Sequence, residues 1–274
     1  MKQSEIMAEK VNPRKVHSTK SINFIINDSI QLLLKNPILF VPKLLIAILY
    51  GVGTIIAVDL VKQLSSFQSL SSDQILANDF SSFFTLVCLL MVFTILTFFI
   101  DIFFSGFYPI LVSLAEKKKL SFKNAFVLFK PKINSVLFSG IIIWVLITLV
   151  SLLEASIILY FNLSDFGIVL SFIITFVFVF VFYFLYPKIV FEDSKLNKSF
   201  VESIFVSLKN KKLVFVLSLI PFSVSIIKFI LAYFSDSLLS MVLFWGLVVL
   251  TGLIYSIHAV VNQLAYDKII DSKK

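Results

Sequence analysis

The 274 residues are 59% hydrophobic and only 15% charged, with a mean hydropathy of +1.00, against roughly 45–50% apolar and about 25% charged in soluble domains. A soluble fold of this length has to cover its surface with polar groups, and runs such as SFIITFVFVFVFYFLY (171–186) have no polar face to offer water. The net charge of +8 lies mostly in Lys and Arg clusters between apolar runs, which suits anionic lipid headgroups beside a membrane and not nucleic acid.

The chain opens with a polar cytoplasmic lead, residues 1–20, that lacks the apolar core of a cleavable signal, so the first span is expected to act as its own insertion signal. A membrane domain is expected over 21–266 and a short cytoplasmic tail over 267–274. Within the membrane domain, apolar runs fall at about 38–60, 83–109, 134–158, 167–188, 213–234 and 238–262. Each is close to the ~20 residues that a helix needs to cross the hydrocarbon layer. A barrel strand would alternate apolar and polar over ~10 residues, and these runs are apolar on every face. The expected fold is an all-α integral membrane protein with six transmembrane helices.

Basic residues orient it. Segments 1–36, 116–133 and 187–212 carry six Lys or Arg each and 267–274 carries three, which is 21 of the 24 in the chain. The intervening loops hold almost none, so both termini and the basic connections are expected on the cytoplasmic side of the cell membrane.

Those connections look alike. Tyr108-Pro109 closes the second run and Tyr186-Pro187 the fourth, and thirteen residues after each Tyr stand Ser121-Phe122 and Ser199-Phe200. Phe122-Lys123-Asn124-Ala125-Phe126, Phe200-Val201-Glu202-Ser203-Ile204 and Ile26-Asn27-Asp28-Ser29-Ile30 share an order of apolar, variable, acid or amide, small, apolar. Apolar residues then continue at helical spacing as Ile26/Ile30/Leu33, Phe122/Phe126/Phe129 and Phe200/Ile204/Leu208. This predicts three short amphipathic elbows in the inner interface, with that stripe toward acyl chains and Lys toward phosphates. The architecture is then three repeats of one interfacial helix and two spans.

Asn36-Pro37-Ile38-Leu39-Phe40-Val41-Pro42 after one elbow, and Tyr186-Pro187-Lys188-Ile189-Val190-Phe191-Glu192-Asp193 before another, resemble the multi-pass membrane region attached to some glycerophosphodiester phosphodiesterases and similar stand-alone prokaryotic proteins. The resemblance covers about residues 21–265. It implies the six-helix architecture with interfacial elbows and no chemistry, because the soluble phosphodiesterase domain with its His- and Glu-rich metal site has no counterpart here.

Residue by residue the chemistry is sparse. No dinucleotide, P-loop, zincin or nucleophile-elbow motif occurs, so no enzyme activity and no cofactor is expected. Cys88 is the single cysteine, and the only histidines are His17 in the lead and His258 near the inner end of the last run. A charge at the bilayer centre costs at least ~2.5–3.5 kcal/mol. Asp59 and Glu154 are near outer span ends, and Lys228 can snorkel to one. Asp101 is different: it lies about 12 Å above Pro109 and Lys43 about 9 Å above Pro37 at 1.5 Å per residue, so antiparallel neighbouring spans would bring the two to one depth. The expected function is a non-enzymatic module that binds membrane lipid, an unidentified membrane protein or a second copy of itself. The alternative is a small-solute or ion transporter or channel with a polar path at Asp101 and Lys43, a reading weakened by the lack of other polar residues at depth.

Overall fold

A computed structural model describes residues 22–68, 81–161, 164–192, 195–233 and 238–271. The lead 1–20 with His17, the side chain of Lys228 and the last residues of the tail lie outside the described residues. Ten α-helices make up the described chain: α1 (Ile22–Lys35), α2 (Phe40–Gln68), α3 (Ser81–Glu116), α4 (Phe122–Phe129), α5 (Ile133–Phe161), α6 (Ser164–Val181), α7 (Leu185–Phe191), α8 (Leu196–Lys209), α9 (Lys211–Tyr233) and α10 (Leu238–Asp271). Among the described residues five segments are long and apolar enough to cross a membrane: Pro37–Leu60, Ser81–Glu116, Phe122–Glu154, Ile173–Phe191 and Met241–Ile270. The remaining expected run, 213–234, is helical over 213–233 within α9, and most of its distal half lies outside the residues whose side chains are described.

The long helices pack as neighbours in chain order. α2 lies against α3, α3 against α5, α5 against α6, α6 against α9 and α9 against α10, and α10 returns to α2. The three short amphipathic helices sit at one end of this closed circuit, with α4 against α3, α8 against α7, and α1 against the C-terminal part of α10.

Three boundaries differ from the expectation. Pro109 does not end its helix, because α3 runs on to Glu116. Proline forfeits one backbone hydrogen bond there, and the turn is held by burial of Tyr108, Ile110, Leu111 and Val112 on every side. α3 then stops at a positive-φ residue, Lys118, with the Lys119 N–H bonded to the Leu114 carbonyl, a left-handed helix stop followed by the Ser121 cap that accepts from the Asn124 N–H. The fourth run is interrupted between Val181 and Leu185, where the free carbonyl of Tyr183 accepts a 2.6 Å hydrogen bond from the Asn262 amide. The last helix extends past the expected boundary at 266 to Asp271, which gives α1 a surface to pack on.

The elbows are amphipathic, and the face they bury against the bundle is offset from the stripe expected to meet acyl chains. The inward positions are Ile25, Ser29 and Leu33 in α1, Ala125 and Phe129 in α4, and Ser199, Ser203 and Ser207 in α8. Of the expected stripe, Ile30, Phe122 and Phe126 are exposed on the outside, Ile26, Phe200 and Ile204 are half-buried, and Leu208 is exposed. Leu33 and Phe129 turn into the bundle instead of toward acyl chains. The physical reason is close approach: the small residue of the five-residue pattern, Ser29, Ala125 or Ser203, has zero exposure in all three elbows, so the larger apolar neighbours rotate outward. Ser29 folds its hydroxyl back to the Ile25 carbonyl at 2.7 Å and so behaves as a small residue of its own helix.

Candidate functional site

Beneath the elbows the helices are interlocked. Ile102 packs where a Cβ on Gly140 would stand, and Val136 packs where a Cβ on Gly106 would stand, so each helix of the α3/α5 pair offers a β-branched knob to the other's glycine. A Cβ on Gly252 of α10 would come 2.9 Å from the Leu44 Cα of α2. These contacts bring α2, α3, α5 and α10 together around Asp101 and Lys43.

Lys43 Nζ lies 3.4 Å from Asp101 Oδ1 and donates to Ser105 Oγ at 3.1 Å. Ser105 Oγ in turn donates to Oδ1 at 3.2 Å, and the Tyr50 hydroxyl donates to Oδ2 at 3.1 Å. One turn of α3 separates Asp101 from Ser105, and two turns of α2 separate Lys43 from Tyr50, so both pairs project toward the same seam. Both carboxylate oxygens are hydrogen-bonded, and the ion pair carries no net charge. The side chains are 13% exposed for Lys43 and 31% for Asp101, so this is a part-buried pair in which mutual desolvation offsets much of the attraction.

The cluster borders a half-open cavity of about 490 Å³, walled by α2, α3, α5, α6, α7 and α10. Phe98, Ile147 and Phe178 supply apolar wall, Trp144 adds a ring that packs 5.7 Å from Phe98, and His258 and Asn262 enter from α10. The His258 ring meets the Tyr183 ring edge-on at 5.4 Å. Neither His258 Nε2 nor the Tyr183 hydroxyl makes a hydrogen bond of ordinary geometry, although the Asn262 amide is near that hydroxyl.

On the elbow side the cavity has a filled floor. Tyr108 donates from its hydroxyl to the Leu39 carbonyl at 2.9 Å and approaches the Ser256 carbonyl at 3.4 Å. Phe184, Leu185 and Tyr266 are almost wholly buried beside it. Below them Lys188, itself 4% exposed, bridges Glu192 Oε2 at 2.6 Å and Glu202 Oε2 at 2.7 Å. Glu192 also accepts from the Tyr266 hydroxyl at 2.6 Å, and Lys198 lies 3.6 Å from Glu202. The hydrogen bond from Lys188 holds the Glu202 carboxyl below the usual range, against a smaller opposing effect of burial.

Sequence reasoning did not reach this second ion cluster. Lys188 and Glu192 stand four apart, a spacing that signals one helix face, but Glu202 joins them only because α8 folds back on α7. Nor did it reach Tyr50, Ser105 and Tyr183. Asp59 is exposed, and Glu154 is buried near the far end of α5. Among the described residues no group of three or more His, Cys, Asp or Glu is gathered for a metal ion. No family model, curated protein or solved structure matches the chain.

Proposed function

We propose that this chain is a non-enzymatic membrane module of six spans, arranged as three units of one elbow and two helices, that holds an amphiphile of the membrane lipid class in its central cavity. The observation that carries the reading is the cavity itself: about 490 Å³ of mostly apolar wall with a few placed polar groups, among them the self-neutralised Asp101–Lys43 cluster. Cavities of roughly 300–1,000 Å³ with apolar walls and a few placed polar groups are the usual form of small-molecule sites. The in-register burial of Ser29, Ala125 and Ser203 supports the three-unit arrangement, and the family resemblance accords with it in architecture alone. In this reading the elbows, with their flanking Lys residues, and both termini face the cytoplasm, where Lys meets anionic headgroups.

Transport has less support. A conduction path would have to pass the layer of Leu39, Tyr108, Phe184 and Leu185, which is sealed by packing, and then the Lys188 cluster.

The test is lipid retention by the purified full-length chain after detergent exchange, measured by extraction and mass spectrometry. Val179→Trp, which fills the cavity from α6, should lose tightly held lipid while thermal unfolding stays unchanged. Equal retention by the variant and the unaltered protein would sink the reading.

A further inference from the structure

The polar atoms around the cavity fall into two sets. The first is closed: Asp101 accepts from Lys43, Ser105 and Tyr50, and the pair is neutral. An anionic head such as a phosphodiester would have to compete with Asp101 for Lys43 and leave a carboxylate short of donors in a low-dielectric wall. The second set is open. His258 Nε2 is buried and makes no hydrogen bond, and the buried Tyr183 hydroxyl makes none of ordinary geometry, its one polar neighbour being the Asn262 amide. Tyr183 is 5% exposed as a residue, and both line the cavity.

Buried polar groups are almost always satisfied, and an orphaned one costs about 1–3 kcal/mol. Two under-satisfied groups within one aromatic contact of each other, on residues that line one cavity, are therefore matched by a ligand that supplies what they lack. A phenol and an imidazole each pair with a carbonyl or hydroxyl oxygen. Neither balances a phosphate's charge, and the nearest cation, Lys43, is already engaged. The apolar wall of Phe98, Trp144, Ile147 and Phe178 then takes the hydrocarbon part.

Resting on the lipid-cavity reading above, we infer that the cavity selects an uncharged lipid whose head presents hydrogen-bonding oxygens, held by Tyr183 and His258, over an anionic phospholipid. Two sources share this chemistry: a diacylglycerol, through its hydroxyl and ester carbonyls, and a prenyl quinone, through its ring carbonyls.

The full-length protein is equilibrated in nanodiscs containing dioleoylglycerol, menaquinone or added phosphatidylglycerol, each in a phosphatidylcholine background, then stripped and extracted. Either neutral lipid should be enriched over phosphatidylglycerol, and which one is enriched identifies the source. Tyr183→Phe removes one oxygen from a ring that otherwise keeps its packing, and it should weaken retention about five-fold, the worth of one hydrogen bond near 1 kcal/mol. His258→Phe should do the same if it folds, and Tyr183→Phe carries the test if it does not. Preferential retention of phosphatidylglycerol, or neutral-lipid retention indifferent to Tyr183→Phe, overturns the inference while leaving a lipid cavity standing. Retention of every lipid equally by the unaltered protein and by Val179→Trp overturns the cavity reading itself.

Discussion

The two ends of the bundle are built differently. Toward the elbows the helices carry a continuous buried core, in which Phe107, Tyr108, Leu111, Phe129, Val136 and Leu185 form one cluster and Phe184, Val214, Leu217, Val261 and Tyr266 another. Toward the far end the same helices turn large apolar side chains outward: Phe84, Met91, Val92, Leu152, Leu153 and Tyr160 are all more than half exposed. Large apolar side chains are present at both ends. What separates them is small residues and polar ties, namely Gly106, Gly140, Gly252 and the inward Ser and Ala positions together with the Tyr108, Asn262 and Lys188 contacts. In a lipid solvent there is no hydrophobic gain in bringing Leu against Leu, so association follows close packing and hydrogen bonding. The elbow end is therefore the structural frame, and the far end relies on the bilayer to cover it.

The sharpest way to break that contrast is to place the same side chain at both ends. Gly140→Leu drives a branched side chain into Ile102 and is expected to cost about 3 kcal/mol or to prevent folding. Gly246→Leu, where a Cβ meets nothing within 4 Å, is expected to change stability by less than about 0.5 kcal/mol. Thermal unfolding of both variants in one detergent reads the difference, and equal effects would dissolve the distinction between the two ends.

Next in size is Lys188→Met, which leaves Glu192 and Glu202 without their shared cation. The expected loss is about 3 kcal/mol, the low end for a broken buried pair, because both carboxylates are about a third exposed. Adding Glu192→Gln and Glu202→Gln should recover much of it. The same cluster gives an acid limb. Glu202 has a folded value below its unfolded one, so its contribution is present above the ordinary carboxylate range near pH 4.3 and is lost as pH falls through the lowered value. A pH series of unfolding midpoints should therefore decline in acid for the native chain and less steeply for Glu202→Gln. Parallel curves would show that α8 is not held by this bond.

A smaller effect is expected inside the cavity. Asp101→Ala strands the Lys43 ammonium and should cost about 1–2 kcal/mol, while Asp101→Ala with Lys43→Met should cost less than the single change. A double-mutant cycle on thermal unfolding measures the coupling, and additive effects would mean that the 3.4 Å contact contributes nothing.

The smallest expected effect is Ser203→Ala, within about 0.5 kcal/mol, because the buried hydroxyl has no partner and only its size matters. Ser203→Leu, by contrast, should loosen α8 and raise protease cleavage of the 193–212 connection. If Ser203→Ala were as harmful as Ser203→Leu, the elbow seam would depend on the hydroxyl and not on close approach.

Much of this was legible without coordinates. Helix is the one open structure that satisfies its own backbone in hydrocarbon, so apolar runs such as 83–100 fix the secondary structure almost unaided. The recurrence of a small residue at 29, 125 and 203 is written in the chain, as is the matched depth of Lys43 and Asp101, because the helical rise turns residue counts into distances. Which elbow face turns inward was not legible. Period alone marks Ile26, Ile30, Phe122 and Phe126 as one apolar stripe, but in a membrane apolar side chains are accommodated on either side, so the close approach permitted by Ser29 and Ala125 chooses the face. The continuation of α3 past Pro109, the Lys188–Glu202 bridge and the gathering of Tyr50, Tyr183 and His258 around one cavity were likewise decided by tertiary contact. They join residues many turns apart on separate helices, and no local periodicity encodes the rotation of one helix about its axis relative to the next.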